Sequence, residues 1–181
     1  RLLPVTFPTI LTNPQNGTAV GMGTGIASFN LNEVVDYTIA YIKNPNSNVA
    51  DYIKAPDFPT GGNIIYDKNI LDNIFNNGSG SIQIRAKYQI DDDVITFTEI
   101  PYSTTYEAIV DKIVELVKDN KIKDIVDMHD KMGINGQGIE ITVKKNVDKR
   151  LLIEKLFKMT PLQSSYGCNF NLIVNGRPQQ L

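Results

Sequence analysis

Ile82-Gln83-Ile84-Arg85-Ala86-Lys87-Tyr88-Gln89-Ile90-Asp91-Asp92-Asp93-Val94-Ile95-Thr96-Phe97-Thr98-Glu99-Ile100 is the stretch on which the fold class turns. As far as Ile90, apolar and polar residues alternate, the two-residue period of a strand with one wet face. Three aspartates then make a turn, and Val94 to Ile100 reads as a second strand ended by Pro101. Strands joined by so short a turn run antiparallel, because a parallel pair needs a crossover of a dozen residues or more. Arg85 and Lys87 fall two residues apart on one strand face, so both can reach a phosphate backbone; a solvated sheet face explains them equally well. The aspartate run lacks the spacing of a calcium-binding loop, and a solvated acidic turn is the better reading of it.

Downstream, Thr104 and Glu107 form a capping box that opens a helix to about Lys118, with Ile109, Val110, Ile113, Leu116 and Val117 at helical spacing. Ile122 to Met128 reads as a strand, Asp130 to Gly138 as a turn-rich connection and Gly138 to Lys144 as a strand. Asp148 caps a helix to about Met159 with Leu151, Leu152, Leu156 and Phe157 inward. Asn169 to Asn175 is a last strand, after which Gly176-Arg177-Pro178 leaves the domain. Upstream, Asn69 to Phe75 is a short helix and Pro56 to Gly62 a rigid turn. A longer helix from Leu31 to about Lys43, capped by Asn30 with Glu33 at the third position, places Val34, Val35, Thr38, Ile39 and Ile42 on a core-facing side. Hairpins grouped between helices predict an α+β fold, a largely antiparallel sheet covered by helices, and not a doubly wound parallel sheet.

Composition excludes several classes. With 41% hydrophobic and 21% charged residues the chain is neither disordered nor membrane-spanning, and no apolar run reaches about 18 residues. A cytoplasmic setting is expected, and the lone Cys168 fits a reducing compartment. One histidine, His129, and one cysteine make a zinc site improbable. His129 lies between Asp127 and Asp130, but no nucleophile context accompanies it, so a loop histidine is the better reading and a stand-alone small-molecule enzyme is disfavoured. The formal net charge of −2 is unlike a free-standing DNA-binding module, so any nucleic-acid contact has to come from a local patch. The densest basic group is Lys144, Lys145, Lys149, Arg150, Lys155 and Lys158, diluted by Asp148 and Glu154.

Asn16 to Leu31 is the stretch richest in possible function. Four glycines, at positions 17, 21, 23 and 25, allow close approach of the backbone to something large, and Ile26 stands just past the last of them. Gly21-Met22-Gly23-Thr24-Gly25-Ile26 puts isoleucine where a dinucleotide fingerprint wants its third glycine, and no Gly-Lys-Ser/Thr follows, so phosphate cradling is disfavoured. Two readings remain: a tight connection whose Ile26 is core, or an apolar wedge pushed between stacked bases.

The runs Pro8-Thr9-Ile10-Leu11-Thr12-Asn13, Gly17 to Ile26 and Asn30-Leu31-Asn32-Glu33-Val34 closely resemble the A chains of bacterial type IIA DNA topoisomerases, DNA gyrase and topoisomerase IV. Pro56 to Gly62, Ile84-Arg85-Ala86-Lys87, Glu99-Ile100-Pro101-Tyr102, Lys112 to Val117 and Thr160-Pro161-Leu162-Gln163 match in the same order, so the resemblance covers essentially the whole chain. It implies that the isoleucine at Ile26 enters the stack of the DNA segment to be cut, with Thr24, Gly25, Arg85 and Lys87 as further candidates for DNA contact. It implies the end of a DNA-gate region over residues 1–30 and a tower domain over 31–181. The family's nucleophilic tyrosine lies in an Arg-Tyr-Thr context, which no tyrosine here has, so a fragment without the cleavage residue is expected. The turn before Ile82 is usually basic in the family, whereas Ser79 and Ser81 stand here, and Tyr106 stands where a lysine is common. Double-stranded DNA, a B subunit that brings Mg2+ and ATP, and an A-subunit homodimer are the implied partners. The alternative from another class is a protein-interaction scaffold with no direct DNA contact.

Overall fold

A computed structural model describes residues 5–133 and 136–180, with the side chains of 131–133, 136 and 137 left aside. The chain divides into two compact units. The first contains the residues up to Phe58, Tyr66–Ile82 and those from Tyr166 onward; the second contains Pro59–Ile65 and Gln83–Ser165. The boundary at residues 30/31 expected from the sequence falls inside the first unit, at the cap of a helix.

In the first unit a 3-10 turn (Thr9–Leu11) leads to β1 (Gln15–Ala19) and β2 (Met22–Ile26), then α1 (Leu31–Lys43) and α2 (Val49–Tyr52). Asn30 caps α1 by accepting from the Asn32 N–H at 3.0 Å. Glu33 does not close the expected capping box; its carboxylate accepts from the Lys54 N–H at 3.3 Å. Of the face expected to be buried on α1, only Val34 is buried, while Ile39 and Ile42 are exposed. The helical period is legible in the sequence, but which side of it meets the core depends on what packs there. After β3 (Asn63–Ile65), α3 (Lys68–Asn77) is capped by Asp67 and ends at Gly78, whose φ of 63° is the left-handed cap glycine favours. β4 (Ser79–Arg85) begins in this unit, and β9 (Gln163–Asn169) ends in it. The sheet order here is β1–β2–β9–β4. Phe29 anchors the core between Phe75 and Phe170, with ring centroids at 6.0 and 6.4 Å. Cys168 is also buried in this unit, and burial pushes its thiol up to about 11. The segment after Asn175 does not leave the domain: β10 (Asn171–Val174) and β11 (Arg177–Gln180) form a hairpin on an Asn175-Gly176 turn with both φ positive, the tight-turn pair that suits strand twist.

The second unit takes residues 83–100, and the long alternating stretch is divided within it. β4 ends at Arg85, and β5 (Lys87–Asp91) belongs to a different sheet. Buried Ala86 between them gives its N–H to the Leu162 carbonyl at 2.7 Å, so the strand that reads as continuous is two. β3 pairs antiparallel with the Gln83–Arg85 end of β4. β5 and β6 (Val94–Glu99) form the expected hairpin, turning at Asp92, and join β7 (Ile125–Gly133) and β8 (Gly136–Val143) in the antiparallel order β5–β6–β8–β7. The turn-rich connection expected over 130–138 lies partly outside the described residues; those described on either side of 134–135 continue the β7–β8 ladder from Asp130↔Ile139 to Gly133↔Gly136. His129 therefore sits in a strand, opposite Glu140 and 3.0 Å from the Asp127 carboxylate.

Against this sheet lie α4 (Tyr106–Lys118) and α5 (Lys149–Met159). Thr105, one residue after the expected cap, accepts from the Ala108 N–H to start α4. Asp148 caps α5 as read from the sequence. The core joins Ile95, Phe97, Ile139 and Ile141 from the sheet with Ile109, Ile113, Leu152 and Leu156 from the helices. On α5 Leu152, Leu156 and Phe157 are buried as expected, while Ile153 is buried in place of Leu151, which is exposed. The mixture of helices with antiparallel sheets is the α+β class expected from the sequence.

Candidate functional site

The glycine-rich stretch is a β-hairpin. β1 and β2 pair in register Asn16↔Gly25, Gly17↔Thr24, Thr18↔Gly23, with Val20 and Gly21 as the turn and φ of 77° at Gly21. A strand rich in glycine has little packing of its own, so its residue pattern reads as a loop; cross-strand bonds make it a strand.

The hairpin's base is held firmly. The Tyr166 hydroxyl reaches the Ile26 carbonyl at 3.2 Å and the Asn16 side chain at 3.1 Å. Asn169 and Asn171 both donate from their side-chain amides to the Gly23 carbonyl, at 3.1 and 2.8 Å. The Thr24 hydroxyl donates to the Asn169 carbonyl at 3.2 Å. Gly25 faces β9 so closely that a Cβ there would stand 2.6 Å from the Gly167 carbonyl oxygen. Three of the sequence candidates are thus brought together, but in structural roles: Thr24 and Gly25 fasten β2 to β9, and Ile26 is 2% exposed in the core. As placed, Ile26 cannot stand at the tip of a flexible loop. The apolar point at the tip is Val20, fully exposed, with Met22 beside it partly exposed. The signal that finds it is positional: in a hairpin with tight central residues the tip lies at the middle of the glycine run, and a residue past its last glycine returns to the sheet base.

Arg85 and Lys87 lie in the second unit and are partnered. The Arg85 Nε donates to Gln163 at 2.7 Å, its terminal nitrogens face the Glu154 carboxylate at 3.4 and 3.5 Å, and its guanidinium lies over the Phe157 ring at 4.8 Å. Lys87 pairs with Glu99 at 3.1 Å. Tyr106 packs against the core of this unit, its hydroxyl 3.5 Å from the Thr98 carbonyl.

Glu99 has a second tie. The Gly62 N–H donates to its carboxylate at 2.7 Å, and that bond, ahead of the Lys87 contacts, holds Glu99 below the usual value of 4.5. The carboxylate lies so close to Gly61 that a Cβ there would overlap it, and φ is 72° at Gly61 and 89° at Gly62. A carboxyl with a depressed native value stabilises the fold above its unfolded value, and that contribution is lost as pH falls through the native one. Glu99→Gln is expected to lower the urea midpoint modestly near neutrality and to flatten its fall between about pH 5 and about pH 3, where variant and parent converge. An unchanged acid slope would show that the Gly62 bond is not coupled to folding.

Among the described residues no group of three or more His, Cys, Asp or Glu side chains is placed to hold a metal ion. No helix among them is long and apolar enough to cross a membrane.

Known proteins resemble the chain over its whole length. The family model for the A component of DNA gyrase/topoisomerase IV matches residues 1–181. The chain is 44% identical over 188 residues to the gyrase A protein of Ureaplasma parvum, covering 99% of the chain and 22% of that relative. It is 40% identical over 187 residues to the gyrase A protein of Mycoplasma pneumoniae, with 99% and 22% covered, and 37% identical over 187 residues to that of Staphylococcus epidermidis, with 98% and 21% covered. The chain thus spans about a fifth of the length of these relatives. On a match that runs from the first residue to the last, the chain belongs to the DNA gyrase/topoisomerase IV A-protein family.

Proposed function

We propose that this chain is a DNA-bending and DNA-supporting part of a type IIA topoisomerase A protein, and that the β1–β2 hairpin is the element it presents to the duplex. The observation that carries the reading is the contrast within that hairpin: a base tied by Tyr166, Asn169 and Asn171, and a tip that offers the exposed apolar side chain of Val20. Rigid at the root and nearly free of bulk along its edges, the hairpin can approach a groove closely. An apolar side chain inserted between base steps costs a few kcal/mol of unstacking, offset by the wider backbone contact that bent DNA allows. In the family reading, phosphodiester cleavage by a tyrosine and double-strand passage driven by ATP take place in the assembled enzyme in the cytoplasm. There the A protein pairs with itself and with a B subunit that brings Mg2+. The share of this chain is geometry.

End-to-end energy transfer on a duplex of roughly 30 base pairs tests the wedge. Val20→Ala is expected to reduce the bend while leaving the unfolding free energy within about 0.5 kcal/mol of the parent, since an exposed tip contributes little to folding. An unchanged bend removes Val20 from the role. Complexes that form equally with protein partners and never with duplex, at low or physiological salt, favour the scaffold alternative.

A further inference from the structure

We propose that the Arg85 guanidinium is a preset phosphate-binding fork whose resident anion is the Glu154 carboxylate, so that Glu154 gates the hold of the second unit on a nucleic-acid backbone. The inference deepens the DNA reading and rests on it. The receptor half is fixed from two directions: Gln163 accepts from Nε at 2.7 Å, and the Phe157 ring supports the guanidinium plane at 4.8 Å. That leaves the two terminal nitrogens side by side, the geometry in which arginine takes a carboxylate or a phosphate through two parallel bonds.

The resident anion is held less well than its receptor. Glu154 meets those nitrogens at 3.4 and 3.5 Å, well outside the roughly 2.7–2.9 Å of good charge-assisted bonds. The pair is open to water, with side chains 35% and 51% exposed, and exposed pairs contribute little. Lys87–Glu99 is the contrast, because Glu99 is also bound by the Gly62 N–H and so is not free to leave.

The surroundings fit the exchange. Phe157 and Gln163 also form part of the wall of an open groove of about 600 Å³, lined further by Gln83, Lys112, Lys158 and Ser164. Of its two lysines, Lys112 is paired with Glu115 at 2.8 Å, and Lys158 takes part in none of the ion pairs among the described residues. A phosphodiester lying along this groove meets a cation, amides and hydroxyls, and the two lining residues Gln163 and Phe157 are the ones that hold the Arg85 guanidinium. Binding is then an ion exchange in which a phosphate takes the fork and Glu154 swings into water.

Two titrations decide it, each with the parent chain, Glu154→Gln, Arg85→Gln and the double variant. In fluorescence anisotropy with a labelled duplex of about 20 base pairs, Glu154→Gln is expected to tighten binding about three- to tenfold at low salt and to steepen the salt slope by about one. The gain is expected to vanish when Arg85 is Gln. An equal gain in both backgrounds would mean only a weaker general repulsion and overturns the gate, as does no gain. With inorganic pyrophosphate, the Arg85 Nε–H resonance is expected to move at a lower concentration in Glu154→Gln than in the parent. Identical titrations overturn the fork. If no variant binds duplex, the DNA reading and the gate on it fail, while the pyrophosphate arm still decides whether Glu154 occupies an anion site.

Discussion

Ile26→Ala is expected to lower stability by about 2–5 kcal/mol, the cost of emptying a packed aliphatic site, and to do so whether or not DNA is present. The side chain is almost wholly buried, and its own carbonyl takes the Tyr166 hydroxyl. A cavity there loosens the base of β2 as well as the core. Urea unfolding, monitored by far-ultraviolet circular dichroism, reads the effect directly: the midpoint should fall with the slope unchanged. The alternative, that Ile26 serves DNA from an exposed position, requires Ile26→Ala to leave the midpoint alone and reduce bending. Paired with Val20→Ala, the experiment separates root from tip, because the two substitutions should act on opposite readouts.

Gly25→Ala is the second large effect, and it arises from space and not from backbone strain. A methyl group at this position stands 2.6 Å from the Gly167 carbonyl oxygen, which is backbone and cannot rotate away. β2 and β9 meet at Gly25↔Asn169, so they must part for alanine to fit. The expected cost is about 1–3 kcal/mol. The neighbouring bonds should weaken with it, because Thr24 to the Asn169 carbonyl and Asn169 to the Gly23 carbonyl both span the same gap. Amide hydrogen exchange is the suitable measurement: protection should be lost first along Met22–Ile26 and the Tyr166–Asn169 part of β9. Retained protection there, with a parental urea midpoint, would show that the sheet absorbs the methyl group and that glycine at 25 is not required by packing.

Much of the second unit is legible in the sequence. The strand from Val94 ended by Pro101, the Asp91–Asp93 turn and the Asp148 cap are local features, and local features depend on neighbours a few residues away. Even there the limit shows: nothing local says that Ala86 ends one sheet and that Lys87 begins another, since the break is made by Leu162 from 76 positions further on. The same distance problem governs Arg85 and Lys87. Their spacing promises two free cations on one face, and Glu154, Gln163 and Glu99 take them up across the fold.

The hairpin departs further from its sequence reading. Its glycines suggest closeness to a partner, and so they still do at the tip, yet at Gly25 the close partner is the chain's own β9. Order along the chain, period, caps and turns are set by residue type within short windows, and with them the α+β class and the family likeness. Which apolar side chain is core and which is presented, Ile26 or Val20, is set by strand pairing between residues some 140 positions apart. Burial is a property of what the chain brings back to a position, and no window around that position contains it.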